Sequence, residues 1–104
     1  MQTRGTVEWL PIGSVVHLKG RAGLLMVIAC MVGDEASGML WDYAAVPYPQ
    51  GVTGPGSDVV FDKGAIDGIF SIGFQNADGE HMQRLLCSAQ DEFEQEKHSL
   101  RYAS

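Results

Sequence analysis

The chain has 104 residues, which is enough for one domain whose core can fold without disulfide or metal staples. Thirteen acidic side chains against seven lysines and arginines give a net charge of -6, which argues against nucleic acid and against an anionic membrane surface as partners. Thirteen glycines favour a turn-rich β protein over a helical bundle.

The first part of the chain predicts an extended lead-in, a turn and a strand. Residues 7–10 are expected to be extended, because a proline restricts the residue before it and Pro11 follows. Pro11 and Gly13 set a turn, and the β-branched content of residues 14–19 indicates a strand. Residues 20–23 resemble a hairpin connection. No signal peptide opens the chain, so we expect a cytoplasmic protein.

The middle of the chain predicts two further strands. Residues 24–32 are all apolar and lie between two glycines, which favours a buried central strand. This run is far too short to span a bilayer, so no membrane insertion is expected. The polar loop 33–38 leads to a third strand over residues 39–46, which we expect to pair antiparallel with the second. Pro47 and Pro49 are expected to end it.

The remaining β segments are shorter. Residues 50–57 contain three glycines and a proline and indicate a loop, in which Gly51 sets a turn together with Pro49. Residues 58–62 predict a short strand and residues 63–65 a turn. Residues 66–74 alternate with a period of two, which is typical of a strand.

A helical pattern begins at Asp78, which can cap the first turn. Its apolar stripe contains the following residues: Met82, Leu85, Leu86, Ala89, Phe93 and Leu100. Lys97, His98 and Arg101 lie near its end, where cations suit the helix dipole. The sequence therefore predicts a single α+β domain over residues 1–104. A curled, barrel-like, mainly antiparallel sheet of about five strands occupies residues 7–74, and a C-terminal helix occupies residues 78–102.

Residue types that carry chemistry are present but do not form a known motif. The histidines and cysteines lack metal-ligand spacing, so we expect no metal and no cofactor, and we expect Cys30 and Cys87 to be reduced thiols. No serine lies in a nucleophile-elbow motif, and no catalytic residue is expected. The acidic residues at loops and strand ends are expected to be solvated: Asp34, Glu35, Asp42, Asp58 and Asp62.

Two sets of residues are candidates for contact with a partner. Core packing is the default role of the aromatic residues, but Trp9 and Tyr48 can alternatively anchor a partner at the surface. If the helix extends past the sheet, Phe93 and Leu100 offer an apolar strip to another helix. Self-association through the helix is left open. Asp42 and Tyr43 are expected to form local hydrogen bonds within their strand.

Several motifs, in order and spacing, resemble a known family. They are Leu10–Gly20, Leu25–Ile28, Trp41–Tyr43, Val46–Gly51, Phe61–Asp62 and Ile66–Phe74. Over roughly residues 8–86 the chain resembles domain-of-unknown-function family 4176. Its members occur in Gram-positive bacteria beside LXG toxins of the type VIIb secretion system. Ala44 and Ala45 stand where the family often has Val-Gly-like residues.

The resemblance implies an accessory protein and not an enzyme. Such proteins act as cytoplasmic adaptors or chaperones for an LXG toxin, usually together with small helical partner proteins. An alternative is an immunity protein that binds and neutralises a cognate toxin. A third and less favoured interpretation is a small ligand-binding barrel or enzyme, because the sequence offers no convergent set of polar residues.

Overall fold

The computed structural model describes residues 9–102 and confirms the predicted α+β class. Its elements are the strands β1 (Val15–Leu18), β2 (Leu24–Asp34), β3 (Met39–Tyr48), β4 (Val59–Phe61) and β5 (Ile66–Ser71), a short 3-10 helix (Lys63–Ala65) and the helix α1 (Ala77–Tyr102). Residues 7 and 8 of the predicted lead-in lie outside the described residues.

The five strands form one antiparallel sheet in the order β4-β3-β2-β1-β5. The nine apolar residues of the second predicted strand do lie at the centre of this order. The sheet is not closed, because β4 and β5 are its two edges and do not pair with each other. The sheet is therefore open and not a closed barrel.

The turn before β1 ties the start of the sheet to both neighbouring strands. Gly13 has a φ of +94°, a conformation that favours glycine, and its N–H donates to the Val27 carbonyl at 2.8 Å. The Ser14 hydroxyl is fully buried and accepts a hydrogen bond from the Gly73 N–H at 2.9 Å. Gly73 lies so close to the Ile12 carbonyl that a Cβ there would overlap it. The Pro-Ile-Gly-Ser sequence is thus a packed structural turn.

Two strand predictions need correction. β2 is not buried along its length, since Leu25 and Val27 are buried but Ile28 is 42% exposed. The helix covers one face of the sheet, so the alternate residues of β2 face outward. β3 continues past Pro47, which pairs with Leu25. Proline is tolerated there because β4 pairs only with residues 43–45 and leaves this part of β3 at an open edge.

The core lies between the sheet and α1. Its buried members are Trp9, Leu10, Val16, Leu18, Leu25, Val27, Tyr43, Ala45, Phe61 and Leu86. Of the residues on α1, only Leu86 and Lys97 are buried. Because so little of this 26-residue helix is buried, a few specific contacts hold it against the sheet.

Candidate functional site

Two carboxylates meet where the β3–β4 ladder ends. Tyr43 pairs with Phe61, so Asp42 and Asp62, one residue further along each strand, lie opposite each other. Asp62 Oδ1 accepts a hydrogen bond from the Asp42 N–H at 3.2 Å, and Asp42 Oδ2 accepts one from the Lys63 N–H at 2.8 Å. Asp42 is only 3% exposed, so its charge needs a cation nearby.

Helix α1 supplies two cations to this pair. Lys97 Nζ lies 2.7 Å from Asp42 Oδ1 and 3.4 Å from Asp62 Oδ1. Arg101 donates from Nη1 to Asp62 Oδ2 at 2.6 Å and from Nη2 to the Leu40 carbonyl at 2.9 Å. We call Asp42, Asp62, Lys97 and Arg101 the ion-pair cluster. It fastens the last turns of α1 to β3 and to the end of β4.

The cluster shifts the pKa values of Asp62 and Lys97 in opposite directions. Burial raises the pKa of Asp62, but the hydrogen bond from Arg101 and the nearby Lys97 charge outweigh it, and the net pKa lies below the ordinary value. Burial likewise lowers the pKa of Lys97, but the hydrogen bond to Asp42 and the charges of Asp42, Asp62 and Glu94 together outweigh it, and the net pKa lies above the ordinary value. Both shifts favour the charged pair that the fold uses.

The structure corrects the expectations for Asp42, Asp62 and Tyr43. Asp42 and Asp62 are not solvated strand-end acids but partners of the helix. The hydrogen bonds of Asp42 and of the Tyr43 hydroxyl also reach far beyond their own strand. Asp42 binds residues 21 and 55 positions away, and the Tyr43 hydroxyl accepts a hydrogen bond from the Leu10 N–H, 33 positions away, at 2.8 Å.

Trp9 is fully buried, so its alternative assignment as a surface anchor is wrong. Its indole packs edge-on to Tyr43 and Phe93, with ring centroids 5.5 and 6.0 Å apart. Its Nε1–H donates to Gln90 Oε1 at 3.2 Å, and Lys63 Nζ lies 3.8 Å from the ring centroid. Helix α1 covers Trp9 and keeps it in the core, and the Phe93 ring is part of this cover.

The two other candidate residues, Tyr48 and Leu100, are at the surface but not together. Tyr48 is 49% exposed at the end of β3, where it pairs with Leu24. Leu100 is 39% exposed, and its neighbour Arg101 binds Leu40 near the opposite end of β3. The structure therefore does not bring them into one surface, and their role in partner binding stays a prediction.

An apolar surface lies beside the start of α1, and no sequence motif indicated it. Ile12 is 54% exposed, Met82 50% and Leu85 52%. A cavity of about 170 Å³ opens here; its walls include Leu10, Pro11, Ile12, Cys30, Phe74, Met82, Gln83 and Leu86. Burial raises the pKa of the Cys30 thiol to about 11, so it stays protonated at neutral pH. This surface offers shape and apolar contact but no reactive group.

One side of α1 extends this surface along the helix. Residues spaced by three or four positions share a side of a helix, and on the side next to the sheet contact they are Asp78, Met82, Leu85, Ala89, Glu92, Glu96 and Leu100. We call this set the open strip. It combines apolar residues with three carboxylates and contains no lysine or arginine. An apolar and acidic strip suits a partner that is apolar and basic.

Within residues 9–102, no three histidine, cysteine or acidic side chains are grouped so that they could hold a metal ion. The same range contains no helix of sufficient length and hydropathy to span a membrane.

Comparison with known proteins gives one match. The family model described as Domain of unknown function (DUF4176) matches residues 9–82. That range includes the turn before β1, all five strands and the start of α1. No curated protein and no solved structure matches the chain.

Proposed function

We propose a function on the premise that this chain belongs to the DUF4176 family. It is a non-enzymatic accessory protein that works by binding another protein. Its partner is an LXG toxin of type VII secretion or a small helical protein that travels with the toxin, and it acts in the cytoplasm as an adaptor or chaperone. The motif resemblance supports the link to secretion.

The observation that carries this proposal is the open strip together with Ile12. Its apolar members Met82 and Leu85 are each half exposed, and they adjoin a cavity with apolar walls. Contiguous exposed apolar surface next to a groove is typical of sites that bind another protein. An apolar side chain of the partner can fill the cavity, as anchor residues do at the centre of interfaces.

The acidic residues of the open strip indicate which kind of partner it binds. Asp78, Glu92 and Glu96 line the open strip, and no basic residue of the strip offsets them. A helix with an apolar stripe and flanking lysines or arginines matches this pattern. Such a helix in the N-terminal LXG region of the toxin, or in a small helical partner, is the proposed ligand.

Co-expression followed by pull-down tests the proposal. The adjacent toxin is split into its N-terminal LXG half and its C-terminal toxic half, and each is co-expressed with this protein. We expect capture of the N-terminal half. Leu85→Lys is expected to abolish capture, because it places a like-charged group against a basic helix in the middle of the strip.

Val52→Lys is the matched control, since Val52 is 72% exposed in the loop after β3 and the variant adds the same charge. The small helical partner protein is co-expressed in a third arm, and capture of neither toxin half and not of this partner protein refutes the adaptor proposal. Capture of the C-terminal half alone also refutes it and points to the alternative, an immunity protein.

A further inference from the structure

We infer that β5 pairs with β5 of a second copy of this chain, giving a two-fold dimer with one continuous sheet. This goes beyond the proposed function and does not depend on it. The dimer uses the sheet edge at β5, whereas the adaptor proposal uses the open strip of α1; Phe74 lies next to both, because it follows β5 and lines the cavity beside α1.

The edge is available for pairing. β5 is the last strand in the sheet order and pairs only with β1. The outer backbone N–H and C=O groups of an edge strand are unpaired and form a ready template for a further strand. β5 has six residues, about the length of an average strand, so its edge is long enough for a register to form.

The edge is also apolar. Its register with β1 shifts between Val15 and Val16 and between His17 and Leu18, so β5 is bulged, but the proline and lysine that usually block an edge are missing. Ile69 is 54% exposed and Phe70 66%, and just beyond the strand Ile72 is 52% and Phe74 83% exposed. Residues 66–74 contain no proline, lysine or arginine. Asp67 supplies the only charge, and its Oδ1 lies 2.6 Å from His17 Nδ1 on β1. An exposed apolar edge of this kind is normally covered.

The other edge of the sheet is protected in the usual way. β4 has only three residues, and Asp58 and Asp62 flank it. Short length and adjacent charge both disfavour pairing with another strand. The two edges of the same sheet therefore differ, and β5 is the one suited to association.

A second copy fits this edge better than a charged partner does. Antiparallel pairing about a two-fold axis is self-complementary and brings together two edges whose only carboxylate is already paired to His17. Neither β5 edge thus brings an unpaired charge to the contact. Because the pairing consumes both β5 edges and leaves the short β4 edges outside, assembly stops at two copies.

The area is sufficient for a dimer. At the side-chain areas that large apolar residues bury, the four exposed side chains of residues 69–74 supply about 450 Å² per protomer. With the backbone edge this comes to about 600 Å² per protomer, which is at the lower end of specific interfaces. We therefore expect a dimer that dissociates on dilution.

Sedimentation velocity of the full chain over a concentration series tests the inference. The wild-type protein is expected to shift from monomer to dimer, and Phe70→Lys to raise the dissociation constant at least about tenfold, since charge on an edge strand opposes pairing. Val52→Lys carries the same charge change in an exposed loop and is expected to dimerise like the wild type. A wild-type protein that stays monomeric, or Phe70→Lys that dimerises as the control does, overturns the inference.

Disulfide trapping gives a second measurement that does not depend on a disruptive variant. In a Cys87→Ser background, single cysteines are placed at residues 69, 70 and 71. Two-fold antiparallel pairing brings at least one of these positions next to its own copy, so it crosslinks, whereas Val52→Cys does not. If none of the three crosslinks above that control, or if Leu85→Lys and not Phe70→Lys abolishes the dimer, β5 is not the interface.

Discussion

Replacing Lys97 by methionine removes the cation that Asp42 and Asp62 share. Asp42 then keeps only the Lys63 N–H and remains buried opposite a second carboxylate. Breaking a buried ion pair on one side costs about 3–5 kcal/mol. We expect a value near 3 kcal/mol, since the Asp62 side chain is 26% exposed and keeps Arg101. For a domain of this size the melting temperature falls by roughly 12–24 °C.

Urea unfolding followed by tryptophan fluorescence measures this change, because Trp9 is fully buried beneath α1 and becomes exposed on unfolding. Glu96→Ala is the matched control on the same helix, and as an exposed substitution it is expected to stay within about 0.5 kcal/mol of the wild type. If Lys97→Met unfolds at the same urea concentration as Glu96→Ala, the ion-pair cluster does not hold the helix and the argument fails.

The double variant Asp42→Asn with Lys97→Met separates the loss of a pair from the burial of a lone charge. Because neither charge then remains, we expect the double variant to be more stable than Lys97→Met alone, with a coupling energy of about 1 kcal/mol or more. If the stability lost in the double variant equals the sum of the losses in the two single variants, the two side chains act independently.

Further expectations concern the two cysteine thiols, His17 and Gly73. Iodoacetamide is expected to alkylate the exposed Cys87 before Cys30, because burial raises the pKa of Cys30 to about 11, and mass spectrometry of the modified peptides measures this. The hydrogen bond to Asp67 raises the pKa of His17, so this pair stabilises the fold below the ordinary histidine pKa and the contribution is lost as pH rises through the folded value. NMR titration is expected to show the raised pKa. Gly73→Ala is expected to lower the melting temperature, because its Cβ would overlap a backbone carbonyl oxygen.

Each of these has its own control. Alkylation of Cys30 before Cys87 would contradict the lower exposure of Cys30 and its raised pKa. Asp67→Asn is expected to return the His17 pKa to its ordinary range, and an unchanged value would assign the shift to another group. Gly79→Ala has room for a Cβ and lies within the helix, so it is expected to be neutral or stabilising. If Gly73→Ala and Gly79→Ala lower the melting temperature equally, the argument that a Cβ at residue 73 overlaps the Ile12 carbonyl is refuted.

Local patterns predicted the elements well, because they depend on neighbouring residues. Alternation and glycine spacing placed all five strands, and the helix begins one residue before the predicted start at Asp78. The strand ends were less accurate. Pro47 predicts the end of β3, but the strand continues because Pro47 lies at an open edge, where its missing N–H needs no partner.

The ion-pair cluster could not be predicted in the same way, because each of its ion pairs joins an acid and a base that are 35 to 55 residues apart along the chain. One signal was present. Lys97 and Arg101 lie 11 and 15 positions after Leu86, on the same side of the helix as the apolar stripe. Basic residues continuing an apolar face indicate buried acidic partners, but only the fold shows that the partners are Asp42 and Asp62.

The long reach of these contacts has a consequence for synthesis on the ribosome. β3 is made early, but Lys97, which neutralises its buried acid Asp42, is made 55 residues later. Until then the nascent sheet has an uncovered core and an apolar edge, which are features that promote aggregation. Such a chain has a long interval in which a general chaperone can bind it, and its folding yield should fall when translation slows between residues 60 and 97.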